Sequence, residues 1–93
     1  SIADGLAVRL ANPQALAMIK KGVSRIMAVD ETAILGAIQA LAKHTDNEVE
    51  GAGAASLAAA FLERDAHVED DQIGIVASGG NLEAKVLARA LAL

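Results

Sequence analysis

The chain has 93 residues, 54% of them hydrophobic, yet 22 are alanine and Phe61 is the only aromatic. A chain this short holds one domain at most, and with no cysteine it has neither a disulfide framework nor a thiolate metal site to support a thin core. Eight basic against twelve acidic residues, a formal charge of −4 with the signs interspersed, exclude the clustered Lys/Arg footprint of a nucleic-acid binder. Nothing in these residues resembles an 18-residue uncharged span or a signal peptide, so the expectation is a cytoplasmic protein without nucleic-acid or membrane partners.

Asn12-Pro13 opens a first predicted helix, because Asn caps free N–H groups and Pro at the first helical position loses no bond. Leu16, Met18 and Ile19 give it an apolar side, and Gly22 is positioned for a left-handed stop. Arg25 to Val29 reads as a short buried strand. Asp30-Glu31-Thr32 starts a second helix with carboxylates at the positive dipole end and Lys43-His44 at the negative one. Its apolar stripe, Ile34, Leu35, Ile38, Leu41 and Ala42, has helical spacing.

Beyond the polar turn Thr45-Asp46-Asn47, the run Glu50-Gly51-Ala52-Gly53-Ala54 leads into a third helix through Leu57, Ala58, Phe61 and Leu62. Its small residues would let another backbone approach closely. A charged loop from Glu63 to Gln72 follows. Ile73 to Ala77 is the second predicted strand, apolar enough to be buried on both faces. Ser78-Gly79-Gly80-Asn81 then turns into a last helix marked by Leu82, Val86, Leu87 and Ala90.

This order predicts an α/β fold: two parallel strands flanked by about four helices. Two short strands cannot form a self-sufficient sheet, so residues 1–93 are expected to be a single partial domain. A chain that opens on Ser1-Ile2-Ala3-Asp4-Gly5 points the same way.

Several motifs carry chemistry. Ser78-Gly79-Gly80-Asn81 lies where open α/β sheets bind ligands, beyond a strand's carboxyl end, and reads either as a ligand site or as a plain turn with Asn81 as N-cap. Glu50 is either a solvated residue at a helix start or a carboxylate in a small-walled pocket. Asp4-Gly5 is a turn pair. His44 and His67 are isolated and lack metal-ligand spacing. Lys20, Lys21 and Lys43 read as ordinary surface residues and Lys85 lies on the final helix, none of them a candidate Schiff-base lysine.

Taken in order, Ile2 to Val8, the Asp30-Glu31 helix start, Val49 to Ala54 and Ile75 to Asn81 resemble the C-terminal part of the catalytic domain of threonine/serine dehydratases. These are pyridoxal-phosphate enzymes of the tryptophan-synthase-β fold type, related to serine racemase. The similarity covers essentially the whole chain. Gly51 replaces a proline common after the glutamate, a form that looks more like the branch with phenylserine and hydroxyectoine-utilisation enzymes.

The resemblance implies part of a three-layer large domain and, for the whole enzyme, elimination of the β-hydroxyl of a small hydroxy amino acid to give a 2-oxo acid and ammonia. By resemblance, Ser78 faces the pyridine nitrogen of the cofactor, Glu50 lies beside its ring, Asp4 and Gly5 line the substrate side, and Gly79, Gly80 and Asn81 shape the turn behind Ser78. The family's Schiff-base lysine, its phosphate-cradling glycines and the metal ligands of some relatives fall upstream of these motifs. The expectation is therefore a dehydratase fragment inactive alone, associating with the rest of its domain or with itself. A non-catalytic, self-associating α/β module is the alternative from another class. A phosphate or nucleotide binder is weaker, since neither a Walker lysine nor a GxGxxG motif is present.

Overall fold

The computed structural model describes residues 2–66 and 71–93; His67 and the centre of the expected charged loop lie outside the described residues. Four helices carry the architecture: α1 (Pro13–Gly22), α2 (Glu31–Thr45), α3 (Gly51–Leu62) and α4 (Ala84–Leu91), with single 3₁₀ turns at Asp4–Leu6 and Arg64–Ala66.

The local capping chemistry acts as the sequence predicts at two helix starts. The Asn12 side chain accepts from the N–H groups of Gln14 and Ala15 at 2.9 and 3.1 Å, with Pro13 at the first helical position. The Asp30 carboxylate accepts from the Ala33 N–H at 2.8 Å, satisfying a donor that the helix itself leaves free. Two boundaries differ. α1 ends without a left-handed glycine: Gly22 is its last helical residue and Val23 follows in extended conformation. The left-handed cap belongs to α2, where Asp46 at φ 56° turns its N–H back onto the Leu41 carbonyl. At the other end of the chain Asn81 does not cap α4, which starts at Ala84 after Glu83.

The expected pair of parallel strands, and with it the α/β class and three-layer sheet, is not seen. Among the described residues there is no strand, and the packed architecture is helical. Residues 25–29 and 73–77 form no ladder with each other because each has its own anchor on α3. The Arg25 guanidinium donates to the Glu63 carboxylate at the C-terminal end of α3, an interaction whose hydrogen bond and charge push the Arg25 pKa further up. Further back along the helix, the Ser56 hydroxyl donates to the Val76 carbonyl at 2.8 Å.

The core is centred on α2, which packs on both α3 and α4. Ile34, Leu35, Ile38 and Leu41 are buried, as the stripe predicts, and Ala37 joins them. The fully buried residues of α3 are all small, Gly51, Gly53, Ala54 and Ala58, with Leu57 partly buried against the core. α4 contributes Val86 and Ala90. Phe61, the sole aromatic, is instead 42% exposed. The molecule measures 39 × 37 × 19 Å, its short dimension about two helix diameters. α1 has no buried residue and docks on no other helix among the described elements.

These differences predict two separable effects. Ile38→Ala removes the largest fully buried side chain and should cost about 2–5 kcal/mol, read as a lower denaturation midpoint. Asn12→Ala should cost about 1 kcal/mol within α1 alone. Hydrogen exchange should then show lost protection confined to α1, with the other helices unchanged.

Candidate functional site

The N-terminal turn of α3 is where distant parts of the chain meet. Gly51 and Gly53 are buried there, and neither has space for a side chain. A Cβ on Gly51 would overlap the Ile2 carbonyl and come within 3.2 Å of the Ala3 Cα; one on Gly53 would overlap the Ser78 carbonyl. Gly5 packs on the same turn, where an added Cβ would lie 2.9 Å from that of Ala52. The close approach that the Gly/Ala run predicts is therefore realised twice over, against residues 2–5 on one side and the Ser78 turn on the other.

Hydrogen bonds fix both approaches. The Glu50 N–H donates to the Gly79 carbonyl at 3.0 Å. The Ile2 N–H donates to the Glu31 carboxylate at 3.3 Å, tying the N-terminal stretch to the start of α2. Glu50 occupies the N-cap position of α3, but its side chain makes no capping bond. Instead the half-buried side chain lies over Gly79, whose φ of 80° is the positive-φ glycine among the described residues.

A cavity of about 570 Å³ opens beside this junction. It brings together three of the sequence-predicted residues, Asp4, Glu50 and Asn81, while Gly5, Ser78, Gly79 and Gly80 are not in its wall. Its wall also contains groups that the sequence reading left aside: Glu31 and, from α4, Lys85 and Arg89. The last two stand at i, i+4 spacing, which places them on one helix face, and this was the available signal. Lys85 forms an exposed ion pair with Glu83 at 3.4 Å. His44 is exposed, and no group of potential metal ligands forms among the described residues.

Ser78 is exposed, followed by two glycines, and the space in front of Gly80 is open. Such a turn leaves a hydroxyl, which can donate or accept, next to backbone that a flat ligand can approach closely.

Comparison with known proteins shows which family the chain belongs to. Residues 1–79 match the family model of pyridoxal-phosphate dependent enzymes. The chain belongs to that family. L-threonine ammonia-lyase of Thermotoga maritima is 35% identical over 89 residues, 96% of this chain and 22% of that protein. L-threonine ammonia-lyase of Geobacter sulfurreducens is 35% identical over 87 residues, 94% of this chain and 21% of that protein. The chain thus spans about a fifth of the length of these curated relatives. No solved structure matches it significantly. The resemblance to pyridoxal-phosphate dehydratases is confirmed at the level of the family and its cofactor. The residues present fit that group in one respect: the exposed Ser78 turn carries a hydroxyl close to Gly80, whose backbone faces open space.

The glycines of this family member separate by environment. Gly53→Ala should displace the Ser78 turn and lower the denaturation midpoint, because the overlapping atoms are backbone. Gly36 lies within α2 with nothing near a new Cβ, so Gly36→Ala should stabilise by up to about 1 kcal/mol. Thermal unfolding of the two variants checks the contrast.

Proposed function

We propose that the chain is a partial domain, the C-terminal segment of the catalytic domain of a cytoplasmic pyridoxal-phosphate-dependent dehydratase that acts on a small hydroxy amino acid. The observation that carries this reading is the junction on α3, where Asp4-Gly5, Glu50 and Ser78-Gly79-Gly80, the motifs shared with the dehydratases, come together from separate parts of the chain. The names of the two ammonia-lyase relatives support the reaction class: loss of the β-hydroxyl, then release of ammonia and a 2-oxo acid.

When bound, pyridoxal phosphate supplies the electron sink for loss of a proton at the substrate Cα and of its β-hydroxyl. Ser78 offers a neutral hydroxyl to the pyridine nitrogen. Unlike a carboxylate, it does not hold a proton there, which keeps the ring a moderate sink and favours elimination over transamination. Gly79 and Gly80 shape the turn behind Ser78, and the open space in front of Gly80 lets a ring lie against it. Glu50 stands next to this turn with its carboxylate over Gly79, and Asp4 faces the same cavity from the substrate side. Asn81 completes the cavity wall below the turn.

In this reading the Schiff-base lysine and the phosphate-binding glycines come from the remainder of the enzyme, and the 93 residues alone are inactive. Mixed with pyridoxal phosphate and dialysed, the isolated chain should retain no cofactor absorbance. In the full-length enzyme, Ser78→Asp should lower kcat by about tenfold or more with cofactor still bound. Unchanged turnover would remove Ser78 from its role at the ring nitrogen.

A second reading, a non-catalytic self-associating module, is favoured by one observation. Ile26 and Val76 are 81% and 75% exposed on the two apolar segments, which have no ladder partner among the described residues. Sedimentation of the isolated chain tests association: dimers or larger species are expected if these segments pair between copies, and a monomer contradicts it.

A further inference from the structure

We propose that Gly79 is a positioning residue for Glu50: the missing side chain at position 79 is the space in which the Glu50 carboxylate is held, and the turn thereby aims that carboxylate. The inference deepens the proposed role of Glu50 and rests on it for its catalytic consequence, although the steric coupling itself does not.

Four features of the structure converge. A Cβ on Gly79 would overlap Glu50 Oε1 and would also lie 2.6 Å from its Cδ and 2.8 Å from its Cγ. The whole outer half of the side chain, not just a mobile tip, therefore occupies that volume. The backbones of the two residues are joined by the Glu50 N–H to Gly79 carbonyl bond at 3.0 Å, so neither can retreat without breaking it. Glu50 stands at the N-cap of α3 yet does not cap the helix, the usual destination for an acidic side chain at that position. Finally, Gly79 has φ 80°, a conformation in which an L side chain is strained, while Gly53 locks the preceding carbonyl of Ser78 in place.

The consequence is that Ser78 and Glu50, 28 positions apart in sequence, keep a fixed relation through a residue that contributes no side-chain atom. A methyl group at 79 has to drive Glu50 off the turn or drive the turn off α3. Either movement takes the carboxylate from its present place over Gly79, next to the Ser78 turn.

The test is a double-mutant cycle in the full-length enzyme: Glu50→Ala, Gly79→Ala and both together, followed by kcat, its pH profile and the absorbance of bound cofactor. Gly79→Ala should reproduce the spectral and pH-profile changes of Glu50→Ala and lower kcat about 10- to 100-fold, the scale of a misplaced group. The double variant should be no worse than Glu50→Ala alone. Additive losses would overturn the proposal, as would a Gly79→Ala enzyme altered only in thermal stability.

Should Gly79→Ala fail to fold, recovery of folding in the double variant supports the overlap, whereas failure of both assigns the glycine to its own backbone strain and overturns it. The cofactor-free protein separates this idea from the functional reading. Magnetisation transfer between the Glu50 γ-protons and the Gly79 α-protons should be observed there, and its absence overturns the positioning role. If that contact is present while Glu50→Ala leaves the cofactor spectrum and kcat unchanged, the role of Glu50 at the ring fails, and with it the catalytic part of the proposal.

Discussion

Everything at the candidate site depends on two carbonyl groups lying where helical side chains would ordinarily be. The carbonyls of Ile2 and Ser78 press against Gly51 and Gly53 in the first turn of α3, and no other amino acid permits that approach. Glycine costs a helix about 1 kcal/mol relative to alanine, so α3 begins with two of its poorest formers. The loss is offset further along, where the helix is mostly alanine, the best former, and where Ala54 and Ala58 are buried in the common core. The helix is weak where it receives other parts of the chain and strong where it only has to be a helix.

The same economy explains how a core with few large side chains holds together. α2 supplies the bulk through Ile34, Leu35, Ile38 and Leu41, and α3 supplies the closeness through its glycines and alanines. Large groups on one helix set into small ones on its neighbour fill space without needing aromatics. Phe61 lies outside this arrangement, near the end of α3 where the Glu63 to Arg25 interaction takes over as the anchor. The shortage of bulky residues is thus a division of labour between two helices.

What could be read in the sequence follows the range of each interaction. Caps act within three residues, and the Asn12 and Asp30 caps were legible for that reason. The Gly22 stop and the Asn81 cap used the same rules and did not hold, because the chain leaves α1 through extended Val23 and delays α4 until Ala84. The two strands failed for a different reason. Apolar runs such as Ile73 to Ala77 register suitability for a sheet, but a ladder is a property of two segments side by side, and here both segments meet a helix instead. The four shared motifs pointed to the correct family, since their order survives in one dimension. Their geometry did not: nothing near Glu50 in sequence says that Gly79 makes room for it, and the i, i+4 spacing of Lys85 and Arg89 shows a shared helix face but not which cavity it meets.

Glycine is the smallest residue available, and this sets how the site can drift under mutation. At positions 51, 53 and 79 every replacement adds atoms to a place already occupied by a neighbour, so no conservative neighbour exists in amino-acid space. At 22, 36 and 74 the same residue faces open volume and is free to change size. Eight glycines that look alike in the sequence thus include some under the tightest constraint in the molecule and some under almost none. An inventory of side chains would overlook the difference, because the constrained set is defined by what stands next to it.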